Sequence, residues 1–356
     1  MEFCYKFNAL KGKQANKDYY VAMVPLKMLS RLFVADDEYV PPEYRAQRKL
    51  NESRIPIISK YILENRDSYV FSSLAASVDG MYNFLPYEDK GKIGVLEISM
   101  DSRFLINDGQ HRKAAIIEAL KENVELGEET IPIVFFFDRE LIRSQQIFTD
   151  LNKNAVKTSN SISKLYDSRD VLSIMTRNVV WKIDFLNIYT DKETDNLGKY
   201  SSHLFTLNTF HRANQLILKN KYNDDCEDFL FRYWKMIVDN MLLWQELQTK
   251  EITKVDLRQN YIATQNVVIH ALGRVGNYFY EHPEIDMSSY LEKIRFIGWS
   301  RNAQCWHMRA VNKNGKILTN SKAVLLISNE IKKNIGIPLS KREVNEEEEL
   351  NLLLER

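Results

Sequence analysis

The chain has 356 residues, 44% of them hydrophobic, and a formal net charge of +1, which gives apolar material for about two domains and leaves overall charge silent about a polyanionic partner. No apolar run approaches the roughly 18 residues of a membrane helix, and the opening "MEFCYKFNALKGKQ" lacks the apolar core of a signal peptide, so a soluble cytoplasmic protein is expected. Cys4, Cys226 and Cys305 are too few and too far apart for a disulfide framework or a paired-thiolate metal site, and all are expected to be reduced and structural.

In chain order, "DYYVAMVPLKMLS" reads as a strand with a turn at Pro25. "PPEYRAQRKLNESRIPIISKYILENRD" reads as helical from the Pro41-Pro42 pair, with Pro56 starting a second helix. "YVFSSLAASVDG" is a strand closed by Asp79-Gly80, and "KIGVLEISM" with "SRFLIN" predicts a hairpin around Asp101-Ser102. A helix over 110–121 and the buried strand "IPIVFFF" follow, so residues 1–138 predict a domain built on a mixed sheet. From 139 to 342 the stretches "RELIRSQQIFTDLNKNA", "SISKLYDSRDVLSIMTRNVV", "SSHLFTLNTFHRANQLILKN" and "DFLFRYWKMIVDNMLLWQEL" carry apolar residues at helical spacing. "RAVNKNGKILT" predicts a hairpin at Asn314-Gly315, and Thr319 or Asn320 caps a last helix ending before Gly336. The expected fold class is therefore α+β, with a mainly helical second half.

Charge is unevenly spread. Positions 293–342 hold eleven Lys or Arg against one acid, Glu330, and an acidic tail over 343–356 with "EEEE" at 346–349 follows. Such a run reads as a solvated, disordered end.

The strand-to-helix junction "FLINDGQHRKAAI" is interrupted by Asp108, Gly109, Gln110, His111 and Arg112. Glycine at a helix start brings backbone N–H groups, the positive end of the helix dipole and a guanidinium around one small volume, which is an anion site. Arg112 could fork onto a phosphate and His111 could move a proton. The structural alternative makes Asp108 an N-cap and the His-Arg pair mere surface.

The junction resembles the DGQHR-domain family, and within it the DndB proteins of DNA sulfur modification. The resemblance extends through "YYVAMVPLKML", "PPEYRAQRKLNESRIPIISKYILEN", "YVFSSLAASVDG", "QQIFTDLNKNAVKTS", "LYDSRD" and "FIGWSRNAQCWHMRAVNKNGKI". It implies a DNA-binding regulator or accessory factor of phosphorothioate modification, a repressor of its own cluster, rather than the sulfur-transferring enzyme. Some relatives carry cysteine where Val24 stands, so no thiol-dependent role is expected there. Gly109, Arg112 and Ala115 also resemble the ParB and sulfiredoxin fold, and the N-terminal domain is expected to share it. Gln110 stands where sulfiredoxin has its reactive thiol, so sulfinic-acid reduction is not expected.

Around this motif the expected phosphate or nucleotide site comprises Gly109, Gln110, His111, Arg112, Asn152, Lys153 and Asn154, with ATP or CTP as an optional occupant and no required cofactor. Asp108 and His111 are the acid-base candidates of a rival reading, a nucleotide hydrolase or DNA nickase; a further rival is a scaffold of the sulfur-transfer complex. DNA contacts are assigned to Arg45, Arg48, Lys49 and Arg54, and to Arg301, Arg309 and Lys322 in the basic block, where Trp299, Trp306 and His307 interleave. The expected partners are promoter duplex DNA, other proteins of the system and further copies of the chain. Six scattered histidines predict no metal site.

Overall fold

The computed structural model describes residues 3–33, 51–139, 144–153, 159–198 and 201–354. Two compact units result, 1–156 and 157–356.

Unit 1 is built on seven strands: β1 Cys4–Gln14, β2 Lys17–Pro25, β3 Leu74–Asp79, β4 Tyr82–Pro86, β5 Ile93–Ser99, β6 Arg103–Asp108 and β7 Thr130–Phe137. Their order in the sheet is β4-β5-β1-β2-β7-β3-β6. Only β3 and β7 run parallel, and the other neighbours are antiparallel. The sheet is thus mixed, as the sequence predicts.

The expected hairpin of β5 and β6 does not form. The two strands lie five places apart in the sheet, although only Met100 to Ser102 separate them. Five strand spacings in a flat sheet would be about 24 Å, whereas three linking residues reach at most about 14 Å. The sheet must therefore curl, and its aromatic rings confirm it. Tyr5 of β1 meets Phe104 of β6 at 6.0 Å, and Tyr82 of β4 stacks on Phe137 of β7 at 3.5 Å. Phe7, Tyr20, Leu96, Ile133 and Phe135 are buried in the core that results.

The described residues of this unit hold the helices α1 Leu29–Leu32, α2 Ile55–Glu64, α3 Gln110–Glu122 and α4 Ser144–Lys153. Pro56 stands in the first turn of α2, as expected. The unit boundary falls after 156 rather than at 138 because α4 packs against β6, where Asn107 Nδ2 donates to Ser144 O at 3.1 Å.

Unit 2 holds the helices α5 Asn160–Tyr166, α6 Val171–Lys182, α7 Asp184–Tyr189, α8 Leu207–Leu218, α9 Cys226–Asn240, α10 Leu242–Gln248, α11 Lys254–Asn260, α12 Asn266–Glu281, α13 Met287–Leu291, α14 Ser321–Ile335 and α15 Lys341–Leu354, with a short parallel pair β8 Thr190–Asp191 and β9 Phe205–Thr206. At its centre α8 packs on α12 so closely that a Cβ on Gly273 would lie 2.6 Å from Ala213 O. Two expected helices break where the backbone is satisfied locally. Asp167 Oδ1 accepts from the amides of Arg169 and Asp170 between α5 and α6, and Met241 separates α9 from α10. The Asn314-Gly315 turn forms, with Gly315 at φ 72°, but its flanks make only one antiparallel bridge, Val311 to Ile317. Asn320 Oδ1 caps α14 by accepting from Ala323 N at 2.8 Å, and Gly336 ends it in the left-handed region.

The acidic tail is a correction. Residues 341–354 form α15, and Glu343 and Glu347 are buried among cations. Glu347 takes a two-pronged bond from Arg309 at 2.5 and 2.6 Å and another from Lys333, while Glu343 takes Lys332 at 2.7 Å. Mutual repulsion in the glutamate run is offset by these cations. The cysteines are free; Cys226 is buried, Cys4 is partly buried and Cys305 is exposed. No helix among the described residues is long and apolar enough to cross a membrane.

Burial raises the affinity of Glu343 and Glu347 for a proton, but the bonds from Lys332 and Ser340 to one, and from Arg309, Lys333 and Asn329 to the other, outweigh it and hold both below the usual 4.5. A depressed carboxylate contributes stability that is complete above its unfolded value and is lost as pH falls through its folded value. The urea midpoint of unit 2 should therefore hold from pH 7 to about 5 and drop below 4.5. In Glu343→Gln/Glu347→Gln that acid-side drop should shrink; an equal drop would contradict the assignment.

Candidate functional site

The turn from β6 into α3 depends on Gly109. It sits at φ 101° and ψ 18°, and a Cβ there would lie 2.3 Å from Cδ2 of the fully buried Leu74. Asp108 is not the N-cap; Gly109 takes that position, and α3 has no side-chain cap.

Arg112 is folded inward. Its Nη1 donates to Ser72 O at 2.7 Å, to Ser73 O at 2.8 Å and to Ser72 Oγ, and its Nη2 donates to Asp108 Oδ2 at 2.6 Å. The guanidinium that the sequence assigns to a phosphate is thus committed to the residues leading into β3 and to Asp108. An open fork is not what this structure holds. His111 Nε2 accepts from the backbone N–H of Asn51 at 3.1 Å, which places a proton on Nδ1 in the neutral ring. Asp108 and His111 each have a structural partner, and the arrangement favours positioning over acid-base work.

The Asn51 contact also brings the 3-10 turn Glu52–Arg54 to the start of α3, and Arg54 there is exposed. Arg45, Arg48, Lys49 and Asn154 lie outside the described residues. Asn152 and Lys153 close α4, and their side chains are also outside the description. The groove between α2 and α3, about 650 Å³, is lined by Glu52, Glu64, Glu118 and Glu122 with Lys60, so its charge repels phosphate.

In unit 2 the three basic residues singled out have different fates. Arg309 is buried, 8% exposed at its side chain, and held by Glu347 and by Glu330 at 3.6 Å, so it is withdrawn as a surface contact. Lys322 is half exposed but pairs with Glu346 at 3.0 Å and Glu349 at 2.7 Å. Arg301 is partly exposed and donates to Gln259 O at 3.3 Å. Trp299 and Trp306 are buried and stacked at 5.4 Å, which makes them core rather than a platform for bases. His307 is exposed. Lys313 and Lys316 flank the Gly315 turn, and Lys341 and Arg342 open α15; all four are exposed and make no ion pair among the described residues.

One cluster escaped sequence reasoning, although it lies in the resembling segment "LYDSRD". Asp170 Oδ2 accepts from Ser173 Oγ at 2.5 Å and pairs with Lys164 at 3.4 Å and His211 at 3.1 Å. Burial alone would raise the Asp170 carboxyl, but Ser173, His211 and Lys164 bring it down to about 2. Burial and Lys164 lower His211, so the ring is neutral near pH 7. The cluster ties α6 to α8.

The family model described as "DndB: DNA-sulfur modification-associated" matches residues 7–338. No curated protein and no solved structure matches the chain.

Gly109→Ala should destabilise unit 1 by more than about 1 kcal/mol, because alanine meets both the positive φ and Leu74. Arg112→Ala should cost about 1–3 kcal/mol through unsatisfied acceptors at Ser72, Ser73 and Asp108. Urea unfolding of both variants is the measurement. Wild-type stability in Arg112→Ala would return Arg112 to the role of a spare cation.

Proposed function

The chain belongs to the DndB family of DNA-sulfur modification-associated proteins, and on that premise we propose that it is a DNA-binding regulatory or accessory protein of phosphorothioate modification, acting as a repressor at its own cluster's promoter. The observation that carries this reading is the exposed cation set of unit 2. After the internal pairs of Arg309, Lys322, Lys332 and Lys333 are set aside, Lys293, Arg295, Lys313, Lys316, Lys341 and Arg342 of the basic block remain exposed and without a carboxylate partner among the described residues; Lys293 donates to Ile335 O and Arg295 to Asn240 Oδ1, which leaves Lys313, Lys316, Lys341 and Arg342 as the least committed. Cations of this kind supply the sequence-independent part of DNA affinity by releasing counterions from the backbone. Arg54 in unit 1 is a further exposed candidate. Promoter choice would require base contacts or assembly of several copies of the chain at the site.

The start of α3 is a second, weaker phosphate site, for a nucleotide such as ATP or CTP or for the DNA backbone. Its support is the helix dipole and a first turn of α3 that has no side-chain cap. The hydrolase or nickase reading needs Asp108 as a base, and its ion pair with Arg112 speaks against that role.

Salt titrations of promoter and random duplex binding test the first site. Lys313→Gln/Lys316→Gln/Arg342→Gln should weaken both duplexes by similar factors and flatten the logarithmic salt slope by about one unit per lost contact. An unchanged slope would show these cations to be solvated surface only. For α3, Gln110→Asp sets the two effects against each other. A carboxylate in the first turn should keep or raise stability by about 0.3–1 kcal/mol through the dipole, yet repel a bound phosphate. Loss of labelled ATP and CTP binding with stability retained is the expected result; retained binding would remove the nucleotide from that site.

A further inference from the structure

The cover of α14 is unlike an ordinary core helix. On α15 only Glu343, Glu347 and Leu350 are buried, whereas Leu352, Leu353 and Leu354 are exposed. The helix is therefore held mainly by charge. Glu347 meets Arg309 and Lys333; Glu343 meets Lys332 and, at 3.4 Å, Arg274; Glu346 and Glu349 meet Lys322. The family match ends at residue 338, so these cations lie inside the shared region and the carboxylates of α15 lie beyond it.

The charge density of the cover is informative. Five carboxylates, Glu343 and Glu346 to Glu349, fall within seven residues. At a rise of 1.5 Å per residue this is about one negative charge per 2 Å of axis, close to the roughly 1.7 Å per charge of duplex DNA.

We propose that α15 is an intramolecular stand-in for a polyanion: it occupies a phosphate-binding face made by Arg274, Arg309, Lys322, Lys332 and Lys333, and duplex DNA displaces it. The inference rests on the reading of the chain as a DNA-binding protein and names how that binding is held in check. In the covered state the duplex meets only the outlying cations. As α15 leaves, the cations it paired turn to backbone phosphates and the glutamates pass into water, so their desolvation cost is recovered. DNA binding is then a contest between two polyanions for one face, and salt weakens both.

The test uses the full-length chain, a random-sequence duplex and two variants. Glu346→Gln/Glu349→Gln alters only the partners of Lys322 at the rim, and Glu343→Gln/Glu347→Gln alters the buried pairs. In the wild type, the duplex should speed hydrogen exchange of amides in 341–354. The rim variant should bind roughly threefold or more tightly at about 0.1 M salt, with a salt slope steeper by about one, because Lys322 becomes available. Wild-type duplex binding with unchanged exchange over 341–354, and a rim variant of unchanged affinity and slope, would overturn the proposal and leave the DNA-binding reading standing. Absence of duplex binding by the wild type and both variants at low salt would overturn both. Binding gained only in a variant would support a tighter cover. Should the buried-pair variant fail to fold, the rim variant decides alone.

Discussion

A charge taken out of water has to be matched within the protein, and both units are arranged around that requirement. In unit 2 Arg309 lies under α15, and its two nitrogens on Glu347 fix where that helix can sit. In unit 1 Arg112 lies against the residues leading into β3, so the carbonyls of Ser72 and Ser73 face α3 and Asp108 closes the fourth contact. Removing one partner of a buried pair costs about 3–5 kcal/mol. That is a large share of the 5–15 kcal/mol by which a domain is stable, so the buried Arg309–Glu347 pair constrains its surroundings strongly, while Arg112, whose partner Asp108 is half exposed, does so mainly through its bonds to Ser72 and Ser73.

The same requirement explains which parts of the molecule were legible in the sequence. Local signals were reliable: Pro56 in the first turn of α2, Gly109 before α3, and Asn320 and Gly336 bounding α14 all act on their own neighbours. Long-range pairing was not. β1 went unseen because Lys6 and Asn8 alternate with buried Phe7 and Ala9 in a run that looks polar, and only its partners β2 and β5 make it a central strand. The β5 and β6 stretches look like a hairpin because nothing local records that the sheet curls. The glutamate run at 346–349 looks solvated because Arg309 stands 38 residues before Glu347. A charge run is read by its neighbours in sequence, but its fate is set by its neighbours in space.

The candidate site was legible in residue type and not in role. Gly109 and Arg112 do shape the junction, yet Arg112 is spent on holding it rather than on a ligand. The tryptophans of the basic block turned out to be core, as their size favours. Asp170 and His211 had a signal in "LYDSRD" but no recognisable spacing, since they come from α6's cap and from α8.

Counting basic residues therefore gives an upper limit on what a surface offers, and internal pairing subtracts from it. At the start of α3 the subtraction is large: Asp108 pairs with Arg112, and the half charge of a helix N-terminus binds phosphate only with help from other groups, of which the exposed Arg54 is one. In unit 2 the subtraction is partial and, at α15, reversible, because the cover is charged and mostly superficial while the cations beneath belong to the family-shared region. An electrostatic partner of this chain is met first by what has not been spent, the Lys313 to Lys316 turn and the Lys341-Arg342 pair. That pair opens the covering helix itself, so a backbone drawn to it arrives at the end from which α15 would be lifted.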